Sequence, residues 1–339
     1  MSPQEHGVVV GVDIGGTKVL AGVVDAQGRV TRSALRTTPG RRVVTSHVED
    51  ALVEAILEAA DGRPLAGVGV AAAGFVDSAG ERVMFAPHLP WQGEPLRDLL
   101  ADRLGCPVGL DNDANCAARA EAHHGAARGA ASALMITMGT GIGGAVLLDG
   151  QVVRGANGMA GEFGHMQVVP DGQPCECGRR GCWEQYSSGN ALVRNARALM
   201  ADQPSVLLDM ADGHPDRVTG SMVTSAAEEG DLVAHRAFVD VGEWLGVGTA
   251  NLVAALDPEV VVIGGGVSAA GDRLLDPARA ALRRTLVGAN HRMVPALVAA
   301  ELGPRAGMVG AALLVISPGD RTARRWSEPD AAGTSGTAT

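Results

Sequence analysis

Two stretches of this chain repeat one pattern. "GGTKVLAGVVDAQGRV", starting at Gly15, and "GTGIGGAVLLDGQVV", starting at Gly139, each run from a glycine turn through an apolar strand to an Asp/Gly turn and a further strand. A repeat spaced by more than a hundred residues reads as a duplicated supersecondary unit. The other reading is two unrelated hairpins. Duplication predicts two similar α/β domains facing a cleft, with ligands at the strand ends beside the glycine turns.

The flanking pattern agrees. Val8–Val12 reads as a strand, as do Val19–Val24, Arg29–Leu35, Ala66–Ala72 and Val108–Leu110. Val44, Val48, Leu52 and Ile56 recur every four residues and predict a helix. A second helix is expected from Ala114 to about His123. The second unit supplies strands at Ala133–Met138, Ala145–Leu148 and Val260–Ile263. A long helix carries Val241, Leu245, Thr249, Leu252 and Leu256, one more runs through Leu282, and a helix closes the fold before Ile316. Expected boundaries are 1–113 for a small domain, 114–301 for a large one, 302–317 for a helix returning to the small domain, and 318–339 for a polar, disordered tail.

The glycine turns carry chemistry. In "DIGGTK", Gly15 and Gly16 let backbone N–H groups approach a ligand, Thr17 adds a hydroxyl, and Lys18 a charge. Asp13 ends the strand, where it can hold magnesium through water. "GTGIGG", Gly139–Gly144, is a second such loop, offering Gly139, Thr140, Gly141 and Gly143. Gly264, Gly265 and Gly266 follow a third strand. Neither loop is a P-loop, because Gly-Lys-Ser/Thr is missing, nor a dinucleotide fingerprint, because a strand follows. Any one of them fits a plain hairpin turn. Together they suit a nucleotide, with two loops for phosphates and the third for adenosine.

"DNDAN", Asp111–Asn115, joins a strand to a helix. Helix capping accounts for one such residue, and four stand here in five. Taken alone the turn reads as a cap; beyond that, Asn112 could bind sugar hydroxyls and Asp113 could accept a hydroxyl proton. A helix N-terminus should lower the Asp113 pKa, which phosphoryl transfer tolerates because its loose transition state releases the proton late.

"CECGRRGC" holds Cys175, Cys177 and Cys182, three of the five cysteines in 339 residues. His165, ten residues upstream in "GEFGH", completes a Cys₃His set suited to structural zinc; a redox cluster is the alternative. Cys106 and Cys116 stand apart as small core residues. Glu162 and Glu184 flank the zinc set and could accept hydrogen bonds from sugar hydroxyls. His165 could meet metal with one ring nitrogen and sugar with the other.

Net charge is −10, and the arginine pairs are isolated, which argues against a nucleic-acid partner. No window suggests a signal peptide or a membrane span, so the expected location is cytoplasmic, where clustered thiols favour metal over disulfide.

In order along the chain, "GVDIGGTK", "DNDAN", "GTGIGG", "GEFGH" and "CECGRRGCWEQYSSG" resemble the ROK family from about Val8 to Ile316, its actinobacterial sugar kinases above all. The resemblance implies an actin-like, ribonuclease-H-like two-domain ATPase fold, structural zinc and a homo-oligomer (dimer or tetramer). The implied activity is transfer of the γ-phosphoryl group of Mg-ATP to the 6-hydroxyl of D-glucose. By motif, Asp113 matches the base, while Asn112, Glu162, His165 and Glu184 match sugar ligands, with Gly74 in "AAAGFVD" beside them. Asp13, Gly15, Gly16, Thr17 and the residues of the second loop match phosphate contacts. Departures are Ala73 for a frequent proline, Asp111 for a usual glutamate, and Ala145 for a third glycine. The alternatives are another hexose or N-acetylhexosamine kinase, polyphosphate as donor, or a sugar-sensing regulator. The family's DNA-binding repressors carry a helix-turn-helix in front, for which a first strand near Val8 leaves no room, so regulation is expected to act through protein contacts.

Overall fold

The computed structural model describes residues 7–317. Its first sheet contains β1 (Val8–Ile14), β2 (Lys18–Val24), β3 (Val30–Thr37), β4 (Leu65–Ala72) and β7 (Val108–Asn112), in the order β3-β2-β1-β4-β7. A small hairpin, β5 (Phe75–Val76) and β6 (Val83–Phe85), lies between β4 and β7 in the chain. The second sheet contains β8 (Ser132–Met138), β9 (Ile142–Leu148), β10 (Gln151–Val152), β11 (Val260–Gly264) and β12 (Ala296–Ala299), in the order β10-β9-β8-β11-β12. Both sheets therefore share one topology: an antiparallel meander of three strands, then two parallel strands on the far side of the first. The repeat seen in the sequence is a repeat of topology. Its last strand, β12, carried no signal, because four residues with two exposed side chains show little alternation.

Helices cover the sheets. α1 (Thr45–Ala60) and α2 (Leu96–Leu104) pack on the first, burying Val48, Leu52, Ile56 and Leu100. On the second side, α7 (Leu232–Leu256) runs against α8 (Asp272–Thr285) and α4 (Gly189–Met200), with α5 (Leu207–Met210) and α6 (Gly220–Glu228) outside them. The single helix expected to run through Leu282 is two pieces. Gly271, at φ 60, turns the chain between a 3₁₀ segment at Gly266–Ala270 and α8, a left-handed conformation open to glycine. The tail expected from Pro318 onward lies outside the described residues.

α3 (Asp113–His124) and α9 (Ala306–Ile316) cross between the sheets. Here the core is small: Ala117, Ala118, Ala120, Ala306 and Ala312 pack with Val24, Met135 and Leu147. Small residues are required because backbones nearly touch. A Cβ on Gly69 would sit 1.7 Å from the carbonyl oxygen of Ala311, and one on Gly310 1.7 Å from that of Cys116. The α9 backbone thus presses directly on strand β4 and on α3. Buried Glu121 ties the crossing at its other end, accepting from the N–H groups of Ala126, Glu301 and Leu302 at 2.8, 3.1 and 2.9 Å. Gly69→Ala is expected to cost at least about 2 kcal/mol in urea unfolding, since a methyl there must displace backbone. A loss below about 0.5 kcal/mol, the range of ordinary surface changes, would contradict the close approach.

Candidate active site

Asp13, Ala71 and Asp111 pair in one row across β1, β4 and β7, and Ile14, Ala72 and Asn112 form the next row. Asp13, Asn112 and Asp113 are therefore gathered at the carboxyl ends of three parallel strands. On the other sheet, Gly139 follows β8 and Gly265 follows β11 at the corresponding ends. The two sets face one cleft, where parallel α/β sheets place their ligands.

Asn112 caps α3. Its Oδ1 accepts from the N–H groups of Ala114 (2.8 Å) and Asn115 (3.2 Å), and its Nδ2 donates to the carbonyl of Gly74 (3.0 Å). Capping and ligand roles, alternatives in the sequence, meet in one residue. Asp113 opens α3, and its Oδ1 accepts from the N–H of Ala114 at 2.9 Å. The expected lowering of its pKa is overturned. Burial raises it, and the helix N–H bond offsets that only in part. Burial, and then the nearby Asp113 charge, raise Asp13 to about 7 against a smaller opposing effect of Lys18.

The first glycine loop is Gly15–Thr17 alone, because β1 runs on through Asp13 and Ile14. Gly15 N–H closes the turn on Lys18 O at 3.0 Å, and the Thr38 hydroxyl holds Gly15 O at 2.8 Å. A side chain at Gly15 or Gly139 would enter open space, while one at Gly16 would meet His88. The second loop is likewise shorter than expected. β9 starts at Ile142, so Gly143 lies within a strand, its Cβ position filled by Thr137 and Ala114. The N–H of Gly189, at the start of α4, donates to Gly139 O at 2.8 Å, and Gly265 packs over Met138. Gly139 and Thr140 are exposed, and Gly141 is half-buried. Gly264 is in β11 against Met135, away from the cleft, and Gly266 begins the 3₁₀ segment.

The third wall carries the zinc set. Phe163 and Trp183 are buried on either side of it; Trp183 Nε1 donates to Trp244 O at 2.7 Å, and Gly248 leaves room for the indole. These anchors present Glu162 and Glu184 to the cleft. Burial raises the Glu162 pKa most; His165 lowers it, and Asp113 and Glu184 raise it, which places all four within one field. Glu184 also lies against Gly141, where a Cβ would come within 2.3 Å of its Oε2. The donor atoms of His165, Cys175, Cys177 and Cys182 lie within 4.8 Å of one another. Cys177 Sγ is 3.6 Å from Cys182 Sγ, and Cys175 Sγ 3.8 Å from His165 Nδ1. Tetrahedral zinc with bonds of about 2.3 Å to sulfur requires ligand separations of about 3.8 Å, so the residues fit the ion.

Sequence reasoning missed Arg154, whose guanidinium bonds buried Asp111, because nothing in "VVRGANG" marks that arginine. It also missed His88, which lies over Gly16 through a turn anchored by buried Trp91.

The family model described as "ROK family" matches residues 9–317. The chain belongs to the ROK family. A glucokinase of Streptomyces coelicolor is 42% identical over 92% of this chain and 98% of its own. The crystal structure of a ROK family glucokinase from Streptomyces griseus, in complex with glucose and AMPPNP, superposes with a TM-score of 0.84 at 44% identity, covering 91% of this chain and 99% of that one. A putative xylose repressor of a Caldicellulosiruptor species is 30% identical over 92% of this chain and 78% of its own length. The actin-like sugar-kinase fold expected from the motifs is therefore the fold of the chain. Among the described residues no helix is long and apolar enough to cross a membrane.

Proposed function

We propose that this chain is an ATP-dependent glucokinase. The observation that carries the reading is the likeness, over nine-tenths of both chains, to a glucokinase holding glucose and an ATP analogue. The site supports it: glycine turns follow β1, β8 and β11, and Asp113, Glu162, His165 and Glu184 lie within one field.

In this reading Asn112, Glu162, His165 and Glu184 hold the sugar and the 6-hydroxyl faces Asp113. Asp113 Oδ1 accepts the α3 N–H, which holds the carboxylate at the start of the helix to meet the hydroxyl. The 6-oxygen attacks the γ-phosphorus in line, the bond to the bridging oxygen breaks, the proton passes to Asp113, and ADP leaves. Backbone N–H groups at the two glycine turns, with magnesium brought by ATP, spread the charge of the moving phosphoryl group. Asp13, near the end of β1, would hold that magnesium through water. His165, Cys175, Cys177 and Cys182 would hold zinc, which supplies a rigid cross-link and no electron transfer. Closure of the two sheets on each other would exclude water as a competing nucleophile.

The test is glucose 6-phosphate formation from Mg-ATP, run beside mannose, N-acetylglucosamine, N-acetylmannosamine and xylose, and with polyphosphate as donor. Expected is turnover with glucose and ATP far above the other pairs. Binding of a sugar without turnover by zinc-replete protein would instead support a sugar-sensing regulator, the reading that the repressor-like relative favours. The assembly proposed is a homo-oligomer, dimer or tetramer, read by light scattering, and the location proposed is cytoplasmic.

A further inference from the structure

Asp111 is the next-to-last residue of β7, its side chain 1% exposed. Its Oδ1 accepts from the N–H of Asn112 and from Asn115 Nδ2, both at 2.9 Å, and so braces the cap that presents Asp113. Its Oδ2 meets two guanidinium groups. Arg119 Nη2 lies 3.8 Å away on α3, the helix that Asp111 itself precedes. Arg154 Nη2 donates to the same oxygen from the chain that follows β10, in the other sheet.

One cation on α3 already offsets the buried carboxylate, so the second is not required for charge balance. Arg154 is also a poor choice for stability alone, because its buried Nε has no hydrogen-bond partner among the described residues. What Arg154 adds is a connection. Its carbonyl accepts from Ala160 N–H at 3.0 Å and closes the loop that leads to Glu162 and His165. Within that loop Gly158, at φ 78, lies so close to β5 that a Cβ would come 2.0 Å from Val76 O. β5 follows Gly74, whose carbonyl accepts from Asn112. Arg154, Asp111, Asn112, Gly74, β5 and Gly158 therefore form a closed ring of contacts that joins the Asp113 turn to the Glu162–His165 loop.

We propose that Arg154 is a positioning residue of the phosphoryl-transfer site, holding the Asp113 turn and the Glu162–His165 loop at the spacing the sugar requires. This rests on the kinase reading above. A misplacement of about 1 Å costs up to about 10²-fold in rate, so removing the connection should act on glucose and on kcat, and little on the nucleotide.

The experiment compares wild type, Arg154→Met, Arg154→Lys and the double variant Asp111→Asn/Arg154→Met, each zinc-replete, by steady-state kinetics and thermal melting. Arg154→Met is expected to lower kcat by about tenfold or more and raise the KM for glucose, with the KM for Mg-ATP changed by less than about threefold. Arg154→Lys should recover part of the rate. The double variant removes both charges; it should recover the melting temperature lost in the single variant while kcat stays low. Recovery of kcat along with stability would mean that Arg154 only neutralises Asp111 and would overturn the proposal. So would an Arg154→Met enzyme within about twofold of wild type in kcat and in glucose KM. An inactive wild type would sink the kinase reading and this inference with it, whereas an active wild type with active variants would sink the positioning role alone.

Discussion

Asp113→Asn is expected to lower kcat for glucose phosphorylation by roughly 10²–10⁴-fold, the usual worth of a positioned general base, while the protein stays folded. Asparagine offers the same Oδ1 to the N–H of Ala114 and caps helices well. It also removes a buried charge that disfavours ionisation of Asp13, so the melting temperature should match or exceed that of wild type. A variant that melts lower and loses activity in proportion to its unfolded fraction would remove Asp113 from the role. The pH dependence follows from the same two carboxylates. Burial raises both, Asp13 to about 7, and the base must be ionised to accept a proton. The acid limb of kcat/KM, which reports the free enzyme, should then lie above the usual carboxylate range. Stability runs in the opposite direction. A carboxylate whose folded pKa is raised contributes stability in acid, and that contribution is lost as pH rises from its ordinary 3.8 through the folded value, about 7 for Asp13. The empty cleft should thus gain from these groups at pH values where turnover is falling. An acid limb near pH 4 would show that burial is not what governs the base.

Cys177→Ser is expected to abolish stoichiometric zinc and to weaken glucose binding in the same step. Cys177 is exposed, so the change opens no core cavity. It does remove one of four ligands whose closure joins the chain at His165 to the chain at Cys182. Glu162 and Glu184 sit three residues before the first of these and two after the second. Glu184 couples to the set more directly. The Cys175 thiol donates to its Oε1 at 3.1 Å, and His165 Nδ1 lies 3.7 Å from the same oxygen. A zinc-bound thiolate has no proton to give, so metal binding would free Glu184 for the sugar hydroxyl proposed for it. Calorimetry with glucose, alongside zinc content by mass spectrometry, checks both effects together. Full glucose affinity in a zinc-free preparation would break the link between metal and substrate, although Trp183 would still hold the segment to α7.

The local pattern of this chain determined a great deal. Strand, glycine turn, strand and Asp/Gly turn, written twice, were enough to imply two sheets of one topology, because hairpin geometry depends on neighbouring residues. The zinc set was legible for the same reason: three thiols within eight residues, with glycines at 178 and 181, can close on a metal almost wherever the segment lies. The edges of these readings slipped where glycine serves packing rather than turning. Gly143 and Gly264 continue strands, yet both look like loop residues in a string of letters. Tertiary structure alone decided the rest. It reversed the sign of the Asp113 shift, because helix position is local but burial depends on how the whole chain packs around the residue. It gave the Asn112 amide nitrogen its bond to Gly74, and it delivered Arg154 to Asp111 from 43 residues away. Charge and desolvation act through space, so a residue that matters only through a distant partner leaves no mark on its own stretch of sequence.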